Sequence, residues 1–171
     1  MKLIRIALLA GFTLIGACSI LPKPELFEVY RLPSAQSSTP ASHGTPQHWS
    51  LRLTKFQSSE ALNSPNIAVI PQGDVISLYK GSRWSDPAPV LVRNRLLEGF
   101  LHDGRVPLLS TDDSIFQTDL ELGGRLQAFQ TEYQGTTASV VVRLDALLVR
   151  SYDQRILASR RFEVRQPLSD V

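Results

Sequence analysis

Hydrophobic and polar positions alternate along much of this chain, a pattern typical of strands that are covered on one face. The longest such stretches fill the last third and predict a meander of three antiparallel strands. Gly123 and Gly124, inside the first of these strands, predict a bulge or a bend. Two shorter stretches, 66–70 and 75–80, are close enough to predict a hairpin. The predicted strands are 26–32, 49–56, 66–70, 75–80, 106–109, 119–133, 138–150 and 155–165.

One segment, residues 87–103, has helical rather than strand spacing. Asp86 can cap its first turn, Pro87 takes the favoured first position, and Gly104 can close its end. The apolar stripe consists of Val90, Leu96, Leu97, Phe100 and Leu101. The predicted solvent side consists of Arg93, Arg95 and Glu98. The sequence therefore predicts one main amphipathic helix packed on a sheet.

The start of the chain has a third pattern. Lys2 and Arg5 precede an apolar run over 6–15, as in a secretory signal. The run is shorter than the ~20 residues that a membrane-spanning helix needs. Residues 1–17 are therefore predicted to be a signal peptide.

The run ends in Leu14-Ile15-Gly16-Ala17-Cys18, which resembles the lipobox of bacterial lipoproteins. The resemblance implies cleavage before Cys18, a diacylglycerol on its sulfur and a further N-acyl chain. Several chains are needed because a single acyl chain binds a membrane only marginally. The other interpretation is an ordinary signal peptide followed by a chance cysteine. By likeness to Gram-negative lipoproteins, Ser19 favours the outer membrane, with a periplasmic protein domain on a tether of residues 18–25.

Composition and charge limit the number of domains and the classes of partner. The chain has 171 residues, 43% hydrophobic and 20% charged, which fits one globular domain over 26–171. Its uncharged segment 33–47 is predicted to be a mobile loop. The net charge of +2 comes from Lys2 and Arg5 alone, so the mature chain is neutral. Nucleic-acid binding is therefore not expected.

Residues with catalytic or metal-binding chemistry are scattered. Of the three histidines, His43 and His48 are five residues apart and have no cysteine or paired carboxylate nearby in the sequence. His102 falls in the last turn of the predicted helix, where a histidine more often complements the helix dipole. There is no Gly-x-Ser-x-Gly motif, and Asp112-Asp113 has the pattern of a solvated turn. The sequence predicts no catalytic residue, no metal and no cofactor apart from the lipid on Cys18, and hence no enzyme; a periplasmic hydrolase is the weakest alternative.

Arg83-Trp84 is the most distinctive pair in the chain. One interpretation is structural: Trp84 packs under the start of the helix as a hydrophobic staple. The other is functional, because arginine and tryptophan are enriched at the centres of protein interfaces. Both residues are therefore candidate partner-binding residues.

Together, the lipobox, Tyr30-Arg31-Leu32, Tyr79, Arg83-Trp84, the amphipathic helix and the meander with Leu126 and Phe129 resemble one family. It is the ABC-type transport auxiliary lipoprotein family, the PqiC-like proteins, and the resemblance covers roughly residues 18 to 167. It implies a single compact α/β (α+β) domain with a mixed sheet, similar in shape to the N-terminal domain of the TolB family. Members usually continue into a closing helix, whereas this sequence ends at Val171.

The resemblance also implies a function. It indicates a non-enzymatic subunit that tethers an envelope transport system to the outer membrane, with an MCE-domain protein and its permease and ATPase as partners. Such systems move phospholipids or other hydrophobic molecules and support membrane integrity. The resemblance is also compatible with a homo-oligomer of this chain. The alternative is an outer-membrane lipoprotein that regulates a cell-wall synthase or stabilises the envelope.

Overall fold

The computed structural model describes residues 26–33 and 45–168, and these residues form one α+β domain. A mixed sheet of eight strands and one helix account for its regular structure. The elements are β1 (Glu28–Tyr30), β2 (Leu51–Leu53), β3 (Asn66–Gln72), β4 (Val75–Trp84), α1 (Ala88–Asp103), β5 (Leu109–Thr111), β6 (Leu120–Gln134), β7 (Thr137–Arg150) and β8 (Arg155–Pro167). The predicted fold class is confirmed.

The long strand β6 organises the sheet. Along one edge it pairs with β7 in antiparallel register, and β7 pairs with β8. Along the other edge its first residues pair with β2 and its last residues with β3, both in parallel. From there the sheet continues through β5 on one side and through β4 and β1 on the other. The predicted meander and the predicted hairpin of β3 and β4 are confirmed.

The two glycines in β6 are required by close packing, but they do not form the predicted bulge: both pair regularly with β7, and the register shift falls between Leu126 and Ala128. Gly124 has a φ of 132°, in the region that favours glycine. A Cβ atom there would collide with the carbonyl oxygen of Asp145 on β7, and one on Gly123 would collide with the Thr54 hydroxyl. Residues 54–57 therefore run close beside β6 at its two glycines, and Gln57 forms a parallel bridge to Arg125.

Helix α1 confirms the predicted helix but corrects its start. Pro87 is the N-cap residue, with φ −54° and ψ 142°, and no side chain caps the helix. Asp86 was expected to be the cap, but its carboxylate accepts a hydrogen bond from the Ser85 hydroxyl instead. At the other end Gly104 adopts the left-handed conformation, with φ 71°, and its N–H donates to the Phe100 carbonyl, as predicted.

The buried face of α1 also differs from the predicted stripe. Leu91, Val92 and Arg93 are buried, whereas Leu101 is 62% exposed. The prediction that Arg93 faces solvent is wrong because acidic groups from the turn after β5 reach it. Around α1 the core forms two clusters, one with Phe56, Leu62, Ala68, Ala88, Val92 and Leu126, the other with Leu51, Leu53 and Val106.

Three predicted strands are shorter or shifted. The stretch 26–32 contributes only β1, 49–56 contributes only β2, and 106–109 gives way to β5. The signal peptide, Cys18, Ser19, and most of the predicted loop at 33–47 lie outside the described residues. They remain predictions.

Candidate docking site at the end of strand β4

Arg83 and Trp84 end strand β4, where β1 lies beside it in parallel register. Val29 is opposite Arg83 and Tyr30 is opposite Trp84. The Trp84 N–H donates to the Pro65 carbonyl at 2.7 Å, and the Ser85 N–H donates to the Tyr30 carbonyl at 2.7 Å. The backbone therefore fixes both side chains in place.

The two side chains have different environments. The Trp84 ring packs edge-to-face on Phe129 of β6, with ring centroids 5.6 Å apart, and is half-buried. Arg83 is exposed, and its guanidinium lies 5.4 Å from the centroid of the Phe27 ring, within the range of a cation–π contact. Trp84 therefore packs against the sheet, on β6, and Arg83 has the exposure that a partner-binding residue needs.

Trp84 also forms one wall of an apolar groove of about 490 Å³. Strands β1, β3, β4, β6 and β7 and the residues that flank them form the groove. Its apolar lining consists of Tyr30, Leu32, Ile67, Tyr79, Trp84, Phe129, Val140, Val142 and Leu168. Polar groups come from Arg31, Ser82, Gln130 and Thr131. Apolar walls with a few polar groups are typical of binding sites.

The phenols at the groove are kept neutral. Tyr30 donates to a Glu28 carboxylate oxygen at 2.6 Å, and this hydrogen bond raises the pKa of Tyr30 above its usual value. A hydrogen bond with Tyr79 likewise raises the pKa of Tyr133, near the end of β6. Because phenols titrate near 10 even when unperturbed, neither is a base at neutral pH.

A second polar centre joins α1 to the turn after β5. The buried Arg93 guanidinium is paired with the Asp112 carboxylate and lies 2.8 Å from the Asp113 carboxylate. The Lys55 N–H also donates to Asp112, at 3.0 Å. The expectation that Asp112-Asp113 is a solvated turn is therefore wrong for Asp112, whose side chain is 32% exposed.

The pKa values in this centre reflect a balance between burial and pairing. Burial alone would lower the pKa of Arg93, but its bonds to Asp113 and Asp112 outweigh burial and raise it. Burial alone would raise the pKa of Asp112, but the Lys55 N–H and Arg93 outweigh it and lower the pKa. At neutral pH the centre is an ion cluster that joins α1 to the turn after β5. The signal in the sequence that could have revealed it is the position of Arg93, three residues after Val90 and four before Leu97, on the apolar stripe of the helix.

The remaining candidates do not come together. His48 is exposed, and His102 lies in the last turn of α1, while His43 and Cys18 fall outside the described residues. Within 26–33 and 45–168, no three His, Cys, Asp or Glu side chains form a group that could hold a metal ion. No helix in those same ranges is both long and apolar enough to cross a membrane.

The fold and the groove define a class: a single α+β domain whose distinctive surface is suited to binding. The model of the ABC-type transport auxiliary lipoprotein component family matches residues 30–171, and the chain belongs to this family. No curated protein matches the sequence.

Two solved structures are similar to this domain. A protein from Xanthomonas campestris is 26% identical with a TM-score of 0.74, and the match covers 84% of this chain and 80% of that one. An uncharacterized protein is 16% identical with a TM-score of 0.60, covering 86% of this chain and 84% of that one; this second likeness concerns the fold alone.

Proposed function

We propose that this chain is a non-enzymatic lipoprotein subunit of an MCE-type ABC transport system, anchored in the outer membrane through acyl chains on Cys18. Its role is to tether the assembly from the periplasmic side and so to support the movement of phospholipids or other hydrophobic molecules. The family match over residues 30–171 is the observation that carries the proposal.

The docking surface in this proposal is Arg83 together with the rim of the apolar groove. Arg83 is exposed and presents its guanidinium beside Phe27, while Trp84 and Phe129 hold the groove in shape. Arginine and aromatic side chains next to a groove match the composition of interface centres. An MCE-domain protein is the expected partner at this surface.

Photocrosslinking in native membranes tests the proposal. A photoreactive phenylalanine analogue replaces Arg83 in the full chain, and the matched control carries it at Arg105, an exposed position just beyond the far end of α1. The 16-residue helix that lies between the two positions in the sequence is about 24 Å long. We expect mass spectrometry to recover an MCE protein from the Arg83 position and not from the control.

Two outcomes would contradict different parts of the proposal, the first the docking surface and the second the partner. Recovery of an MCE protein in an affinity pull-down, but never from position 83, would move the docking surface elsewhere. Recovery of a cell-wall synthase without an MCE protein or permease would favour the regulatory alternative.

A further inference from the structure

Two exposed apolar side chains follow each other in the loop between β5 and β6. Ile115 is 98% exposed and Phe116 is 70% exposed, although side chains of both kinds are usually buried. The Arg52 guanidinium of β2 donates to the Phe116 carbonyl oxygen and also pairs with Glu121 of β6, at 3.1 Å. The loop is therefore held against the sheet while its apolar side chains remain in contact with water.

This loop lies on the face of the sheet that α1 does not cover. Arg52 is in register with Glu121, and Arg125, four residues further along β6, points to the same side. Arg125 is in register with Asp145 of β7, and Asp145 with Arg161 of β8. The leucines of β6 point the other way, into the core clusters beside α1. These five residues and the loop define the outer face of the sheet.

The outer face also has a positively charged cleft of about 720 Å³. Its lining includes Lys55, Arg125, Arg160 and Arg161 but only one acidic residue, Asp145, which is already paired with Arg161 at 2.7 Å. Within 26–33 and 45–168, neither the Lys55 ammonium nor the Arg125 guanidinium has a carboxylate partner. The cleft therefore has an excess of positive charge. Along β6 it begins about 13 Å from the row of Arg52 that holds the apolar loop.

We propose that the outer face is a membrane-contact surface, with Ile115 and Phe116 inserted between lipid headgroups and the cleft turned to the phosphates of anionic phospholipids. The inference rests on the lipid anchor of the proposed function. The eight residues from Cys18 to the start of the domain span at most about 29 Å. Because a domain of this size has a radius of gyration of about 14 Å, its surface stays within reach of the headgroups.

A lipid surface matches both features of the outer face. Burial of apolar side chains and attraction of cations to anionic headgroups together determine how strongly a protein surface binds a membrane. Ile115 and Phe116 bury too little apolar area to hold the protein there, since even one myristoyl chain binds only marginally. The contact therefore orients a domain that the acyl chains already hold.

This orientation leaves the apolar groove accessible. Phe129 of the groove packs on the core cluster beside α1, and Val142 is in register with it. Both groove residues thus point to the side of the sheet opposite to the outer face. With the outer face on the lipid, the groove is directed away from the membrane.

Photocrosslinking of the full chain in native membranes tests this surface. A photoreactive phenylalanine analogue replaces Phe116, and the matched control carries it at Phe162. That residue is also an exposed phenylalanine, at 44%, but it is in register with Leu144 and so points to the side of α1. We expect intact-mass measurement to show a phospholipid adduct at position 116 that is at least tenfold more abundant than at position 162.

A pair of charge variants tests the cleft with the same readout. Arg125→Gln removes a cation from the cleft, whereas Arg155→Gln removes one from the other side of the sheet, where Arg155 is in register with Arg150. One cation near an anionic surface changes binding by about fivefold. We expect Arg125→Gln to lower the adduct at position 116 by about that factor and Arg155→Gln to leave it unchanged.

The mass spectrum reports the membrane contact and the anchor separately. An acylated chain with no phospholipid adduct at position 116, with equal adducts at both positions, or with a protein adduct instead would overturn the contact and leave the anchor standing. Equal effects of the two charge variants would overturn the contact as well. A phospholipid adduct on a chain without the acyl mass would support the contact and overturn the anchor.

Discussion

Arg93 shows how a single buried charge is made tolerable. Its side chain is 7% exposed, yet two carboxylates and Asn94 accept its hydrogen bonds. A buried charge without partners is very unfavourable, whereas a paired one is close to neutral in free energy. The main effect of Arg93 is therefore on the position of α1 relative to the turn after β5, and its net contribution to stability is smaller.

Removing this charge should leave Asp112 unpaired. We expect Arg93→Met to lower the free energy of unfolding by about 2 kcal/mol, less than for a fully buried pair because water reaches both carboxylates. Urea denaturation measures this change in the free energy of unfolding. Arg95→Met is the control: its pair with Glu98 lies on the surface and should contribute less than about 0.5 kcal/mol. Equal effects of the two changes would contradict this role for Arg93.

The same centre should make stability depend on pH. Because the folded-state pKa of Asp112 is lowered, its contribution is fully present above the unfolded pKa of ~3.9. It is lost as the pH falls through the lower folded value, since the unfolded chain then binds more protons. Urea midpoints between pH 6 and pH 2.5 should therefore fall more steeply for the wild type than for Asp112→Asn. Parallel curves would argue against this linkage.

At the scale of elements, two glycines let neighbouring segments lie close on both edges of β6. Residues 54–57 run parallel to β6 along one edge, where the Gln57 N–H donates to the Gly124 carbonyl and the Leu126 N–H donates to the Gln57 carbonyl. Along the other edge Gly124 lies tight against Asp145 of β7, and its positive φ also excludes a side chain. The two glycines lie between the β2 and β3 pairing regions of β6.

Replacing glycine by alanine should therefore have opposite effects on the free energy of unfolding at Gly124 and at Gly99. Gly124→Ala should lower the free energy of unfolding by more than about 2 kcal/mol, because the strained backbone adds to the collision. Gly99→Ala, in α1 with open space around it, should raise it by up to about 1 kcal/mol. Thermal unfolding measures both. A mild effect at Gly124 would mean that β6 and β7 can separate locally at little cost.

The sequence predicted best the elements that depend on local pattern. The β6–β8 meander, the β3–β4 hairpin and the end of α1 at Gly104 all follow from neighbouring residues. The features that the sequence did not predict depend on residues far apart in the chain. Strands β1 and β2 have only three residues each and lie in parallel pairs. Arg93 is buried only because Asp112 reaches it. Of the candidate site, Arg83 and Trp84 were found, but the groove was not, because its walls come from five strands.

At the scale of the whole molecule, we expect the predicted anchor and the described domain to have separate roles. The described domain has the groove, while the predicted anchor precedes it on a short tether. A domain held in this way can reach a partner without leaving the membrane. The protein's position in the envelope should therefore depend on Cys18 and not on the fold.

Substitution of Cys18 tests this separation. We expect Cys18→Ala to lose the acyl mass and to leave the outer-membrane fraction, because no acyl chain remains to hold it. Ser19→Asp is the paired change: it should keep the lipid but shift the protein to the inner membrane. Membrane fractionation with intact-mass measurement distinguishes the two. A Cys18→Ala protein that remains in the outer membrane would contradict the lipid anchor.

The central place of β6 has a consequence for how the protein folds. Arg52 of β2 is hydrogen-bonded to Glu121 of β6, 69 residues later in the sequence, and the cluster beneath α1 is completed by Leu126. During synthesis the first half of the chain thus has no finished sheet to pack on. Contacts between distant residues slow folding, so we expect the N-terminal half to stay open to proteases until the meander forms. Folding should begin near the C-terminus, opposite to the order in which the chain is made.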